Sequence, residues 1–157
     1  MDTGTDEKLI TPTTTRGSTP GWHAFIAGPP GLIPTVLCAG GSILLVLSAL
    51  IHLHLWSTGY KHIATIGPLF LVQIVAGFAM AVVVTVARRA VTALAGALFA
   101  IGTVGGLVIS VEVGLFGFKD SFSAPYATTS LAVELAAVVV LGVATFFCLH
   151  AATHAQP

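Results

Sequence analysis

Charge is what this chain has least of. Only 8% of its 157 residues are Asp, Glu, Lys or Arg, six acidic against six basic. A soluble domain carries about 25%, so these charges are too few to solvate a globular surface. The balance also leaves no basic patch, which excludes a nucleic-acid footprint. Cysteine is nearly missing. Cys38 and Cys148 stand alone in apolar runs and read as packing residues. No lipoprotein site is expected at Cys38, because Leu37 precedes it where a small residue is needed. Residues 1–20 are polar, so no secretory signal is expected there. Soluble-enzyme motifs are missing too: no phosphate-binding glycine loop, no nucleophile elbow, no metalloprotease histidine pair. With loops this short there is no room for a catalytic domain. The expectation is a protein that is not itself an enzyme.

Apolar residues fill the space that charge leaves. They make up 55% of the chain, and the mean hydropathy is +0.98. Residues 1–30 form a polar tail, rich in Thr, Gly and Pro, ending in an interfacial segment with Trp22 and Phe25. The Gly28-Pro29-Pro30-Gly31 run then breaks the chain. Residues 31–157 hold four apolar runs, at about 32–56, 63–87, 90–117 and 126–152. Each is long enough to cross a bilayer core of about 30 Å at about 1.5 Å per residue. Short connections favour antiparallel neighbours. The predicted fold is all-α, a four-helix transmembrane bundle running up, down, up and down.

Arginine and lysine set the orientation. Arg88 and Arg89, in the tight second turn, mark the cytoplasmic side, and Lys8 and Arg16 agree. Lys61 and Lys119 fall on the other side. Both termini are therefore expected in the cytoplasm, with the chain in the inner, plasma membrane. Cys38 and Cys148 then sit near the reducing side, which argues against a disulfide.

Polar residues inside a span are costly and are candidates for function. His52, Gln73, Glu112 and Glu134 all fall in the outer half of the membrane and could meet in one layer. Ser48 shares a helical face with His52, Gly105 with Glu112, and Ser130 with Glu134. His52 and His54 are two positions apart, so only one can face the bundle. Three readings of the layer stay open. The carboxyls are bonded to His52, Gln73 and Ser130 and fix helix register. They form a proton or cation site. Or they face the helices of a partner subunit. Two glutamates with a histidine are chemically adequate for a divalent ion, but the spacing matches no metal motif, and no metal is expected.

Haem is excluded by depth, because His52, His54 and His62 belong to one end and His150 and His154 to the other. His150 and His154 lie one turn apart and read as a snorkelling helix end. No cofactor is expected. Gly102, Gly106, Ser110 and Gly114 form a small-residue stripe on the third span, where a neighbouring backbone can approach.

The segment Ile51-His52-Leu53-His54-Leu55-Trp56, then Gly59-Tyr60, then His62 to Phe70, with Gly114-Leu115-Phe116-Gly117-Phe118 after span three, resembles a family of four-span integral membrane proteins common in actinobacteria. The resemblance covers the chain from span one onward and implies no activity. Proteins of this kind occur as accessory subunits of membrane complexes, including the mycobacterial cytochrome bcc–aa3 respiratory supercomplex. It implies a non-catalytic accessory subunit of a respiratory, cytochrome oxidase-type assembly, with other integral membrane subunits and the lipid bilayer as partners. The alternative is a small proton- or cation-coupled transporter or binding protein that uses the outer His/Glu cluster.

Overall fold

A computed structural model describes residues 31–154. The tail at 1–30, with Trp22, Phe25 and His23, and residues 155–157 lie outside the described residues. Four helices follow in order: α1 (Leu32–Thr58), α2 (Ile66–Ala87), α3 (Ala90–Glu112) and α4 (Ala127–His154). A short 3₁₀ turn, Tyr60–His62, stands between α1 and α2. At 27, 22, 23 and 28 residues, all four are long and apolar enough to cross a membrane. This is a multi-pass membrane protein.

Local chemistry explains the ends. Pro34 and Pro68 each occupy the first turn of their helix, where a missing N–H costs nothing. Arg88 adopts a left-handed conformation (φ 46°) and stops α2. Arg89 then starts α3, donating its backbone N–H to Thr92 Oγ1 at 3.2 Å. The two-residue link makes α2 and α3 a tight hairpin.

Burial is reversed in size from that of a soluble protein. The interior is small: Ala49, Ala81, Ala90, Ala93, Ala97 and Ala144 are each under 5% exposed. Large side chains face outward, with Val72, Val75, Val82 and Val86 each above 60% exposed. In water such a surface would aggregate; in lipid it is the solvated face, and small residues let the helices approach.

The helices form a square in which α1 packs on α2 and α4, and α4 packs on α3. Of the four adjacent pairs, α2 and α3 touch least. Near Arg88–Arg89 the square is filled. Leu141 is fully buried there, its side chain occupying the space left by Gly41 and Gly96. Cys38, Leu45, Val84 and Cys148 surround it, with both cysteines free. This close packing reaches Gly77, whose missing Cβ admits Ala49 and Phe99. Beyond Gly77 and Phe99, α2 and α3 part.

Candidate functional site

A cavity of about 440 Å³ fills the parted half of the bundle. Its floor is Phe99, and its α3 wall is Gly102, Thr103, Gly106 and Ser110. Leu69, Phe70, Val72 and Gln73 of α2 stand opposite. The back wall is His52 of α1 with Ser130 and Glu134 of α4. Tyr60, Phe118 and Asp120 close the far end from the loops.

Glu134 is the centre of the polar wall and is only 2% exposed. Its Oε1 accepts hydrogen bonds from the Ser48 hydroxyl at 3.1 Å and the Ser130 hydroxyl at 3.2 Å. The His52 Nε2 lies 3.8 Å from the same oxygen. His52 Nδ1 faces the Ser48 carbonyl at 2.9 Å. A carbonyl only accepts, so Nδ1 carries the hydrogen, and Nε2 is the ring nitrogen turned toward the carboxyl. The other oxygen, Glu134 Oε2, is buried without a hydrogen-bond partner, and so is Gln73 Nε2. Thr103 also approaches the carboxyl, but its hydroxyl donates to the Ala100 carbonyl at 2.8 Å.

The loops roof the cavity through aromatic contacts. Phe70 lies 5.2 Å from His52, ring centre to ring centre, and stacks on Tyr60 at 4.8 Å. Phe118 meets Tyr60 edge-on at 5.7 Å. The Tyr60 hydroxyl points at Asp120, 3.4 Å from Oδ2. Burial, and then the Asp120 carboxylate, push the Tyr60 phenol above its ordinary value. The Asp120 N–H donates to the Ser110 carbonyl at 3.1 Å, which ties the loop to the end of α3. Gly67 lets the roof sit low, since a Cβ there would meet the Lys61 carbonyl oxygen at 2.8 Å.

His52, Gln73 and Glu134 thus line one cavity, and the His52/His54 ambiguity is resolved. His52 faces in, while His54 is exposed and lies edge-on to Tyr126. Glu112 corrects the expected layer. Helix α3 ends at Glu112 rather than near residue 117, so this side chain is exposed at the end of the span and lines no cavity. Ser110 is the buried polar residue there instead. The early end has a local cause: Val113 and Gly114 both donate to the Ile109 carbonyl at 3.0 Å, and Gly114 turns to φ 92°.

The small-residue stripe has no neighbour at Gly102 or Gly106 within the described residues of this chain. Gly114 is no longer helical, and a Cβ on Gly102 or Gly106 would meet nothing within 4 Å. Within the described residues the stripe makes a cavity wall, not a helix–helix contact. Tyr60, Asp120, Phe70 and Phe99 gained no mention as site residues from the sequence, because loop closure and the parting of α2 from α3 carry no periodic signal. Among the described residues no group of three metal-ligating side chains comes together. The His154 side chain lies outside the described residues, and His150 stacks on Phe146.

Comparison with known proteins finds no match to a family model, a curated protein or a solved structure.

Proposed function

We propose that this chain is a small membrane protein that binds a proton or cation at the His52–Glu134 pair, and that this binding is coupled to transport. The observation that carries the reading is the second carboxyl oxygen of Glu134, buried at a cavity wall without a partner. Burying such a group is unfavourable unless something satisfies it, and intramembrane carboxyls belong to ion or proton pathways by default. A purely structural glutamate has no need of a cavity beside it. The bundle lies in the inner membrane with Arg88–Arg89 and both termini cytoplasmic, which places the cavity in the outer half. Infrared difference spectra between pH 5 and 9 test the proton site. Wild type is expected to show a carboxyl C=O band that titrates, and Glu134→Gln is expected to lack it. Identical spectra would end this reading.

The open α2–α3 seam also favours a second reading. A helix of another subunit laid over Gly102 and Gly106 would make the chain an accessory subunit, in keeping with its resemblance to actinobacterial four-span proteins, a kind that occurs in respiratory oxidase assemblies. Purification in a gentle detergent, followed by mass spectrometry, tests it. Recovery of the chain alone, where known complexes survive, would count against it.

A further inference from the structure

We infer that the cavity takes a lipophilic organic cation, a protonated or quaternary amine with an apolar body, which enters from the bilayer between α2 and α3. The inference rests on the proton-or-cation reading of the Glu134 site and names its ligand class.

Three independent features converge on this chemistry. The first is charge. Glu134 and Asp120 are the carboxyls of the wall, and no Lys or Arg lines it. Every element around the Glu134 carboxyl contributes: Ser48 and His52 from α1, Gln73 from α2, Thr103 from α3 and Ser130 from α4. Of these only His52 can be positive, and it approaches Oε1, while Oε2 has no partner, so the carboxyl in the wall holds negative charge that the chain offsets only through His52. The second is the aromatic surface. Tyr60, Phe70, Phe99 and Phe118 line the cavity, and ring faces attract cations, more so when desolvated. A hydrated inorganic ion gains little from such walls, whereas an organic cation buries its apolar body against them. The third is access. Val72 is 64% and Leu69 40% exposed on one rim, and Gly102 is exposed on the other. Leu69 stands in the first turn of its span, but Val72 lies about two turns and Gly102 about three turns inside theirs, so the seam opens sideways at membrane depth. The glycines keep it open, since nothing stands within 4 Å of where their side chains would be.

Cation and proton then compete for one carboxyl. When the cation sits in the cavity before Glu134, the proton carried by the Glu134–His52 pair leaves to water, and charge in the cavity is conserved. When the cation departs, a proton returns.

Purified full-length protein in neutral-detergent micelles, titrated with tetraphenylphosphonium, tests this. Triphenylphosphine oxide serves as the uncharged counterpart. Wild type is expected to bind the cation at least tenfold more tightly than Glu134→Gln does, to release protons on binding, and to bind the neutral counterpart no better than Glu134→Gln does. Gly106→Leu, which fills the cavity without touching the acid, is expected to lose cation binding while keeping the titrating carboxyl band. Equal affinity in wild type and both variants would overturn the organic-cation inference, and a retained carboxyl band would then leave the proton site standing. Loss of the band from wild type as well would remove both. A wild-type seam blocked by a co-purifying subunit, with no cation bound, would also overturn the inference.

Discussion

The two halves of this bundle are built from the same residue types and do opposite things. Toward Arg88–Arg89, glycine is a socket: Gly41 and Gly96 receive Leu141, and the helices close. Toward the roof, glycine is a gap: Gly102 and Gly106 meet nothing, and the helices part. The side-chain hydrogen bonds between helices also differ. In the closed half Thr85 and Thr145 turn back onto their own helix carbonyls at 2.8 Å. In the open half Glu134 gathers Ser48 and His52 from α1 and Ser130 from its own helix, and still keeps one oxygen unspent. A small residue in a membrane helix therefore does not by itself mean a packed neighbour. What matters is whether a large side chain on the facing helix stands at the same depth.

The largest expected effect lies in the closed half. Leu141→Ala should cost about 3 kcal/mol, the scale of a buried leucine that leaves a cavity, read as a shift in denaturing-detergent unfolding of the reconstituted protein. An unchanged transition would mean that the filled half is not what holds the bundle. A matched pair then sets glycine against glycine. Gly96→Leu should destabilise by about 1–3 kcal/mol through overpacking, while Gly106→Leu should change stability by less than about 0.5 kcal/mol, as at an unconstrained site. Equal losses from the two would erase the distinction between socket and gap.

A smaller effect belongs to the carboxyl network. Ser130→Ala removes one of the two hydroxyl donors to Glu134 Oε1, the one within α4 itself, and should cost about 0.5–1 kcal/mol, the scale of one hydrogen bond. It should perturb the Glu134 carboxyl band more than it perturbs unfolding. The reverse pattern would make Ser130 a packing residue.

The smallest effect is confined to the roof. The Tyr60 phenol ionises less readily in the folded chain than in the unfolded one, chiefly because it is buried and then because Asp120 faces it. Its contribution is therefore fully present below pH of about 10, the ordinary tyrosine value, and is lost as pH rises through the higher folded value. Hydrogen exchange of the 114–125 loop should rise above that pH in wild type. In Tyr60→Phe the same step should be absent. A step that persists in the variant would assign it to another group.

The sequence by itself determined the solvent and the topology. Apolar runs of this length have one stable home, because lipid leaves backbone groups no partners outside a helix, and a two-residue link such as Arg88-Arg89 admits only a hairpin. It also placed His52, Gln73, Glu112 and Glu134 in the same half of the bundle, since rise per residue is a constant of the helix. Depth is not direction, however. Glu112 was read as inward because seven residues separate it from Gly105, but the chain leaves the helix at Glu112, and that depends on how Val113 and Gly114 cap Ile109. The stripe from Gly102 to Gly114 marks a place where a backbone can approach, but it does not say from which chain, and within this one α2 diverges before reaching it. Only the tertiary structure decided that divergence, because it depends on Leu141, Phe99 and Gly77 filling one end of the square and on Tyr60, Phe118 and Asp120 roofing the other. The buried carboxyl was legible as a residue, and the space in front of it was not, because empty volume is a property of four helices together.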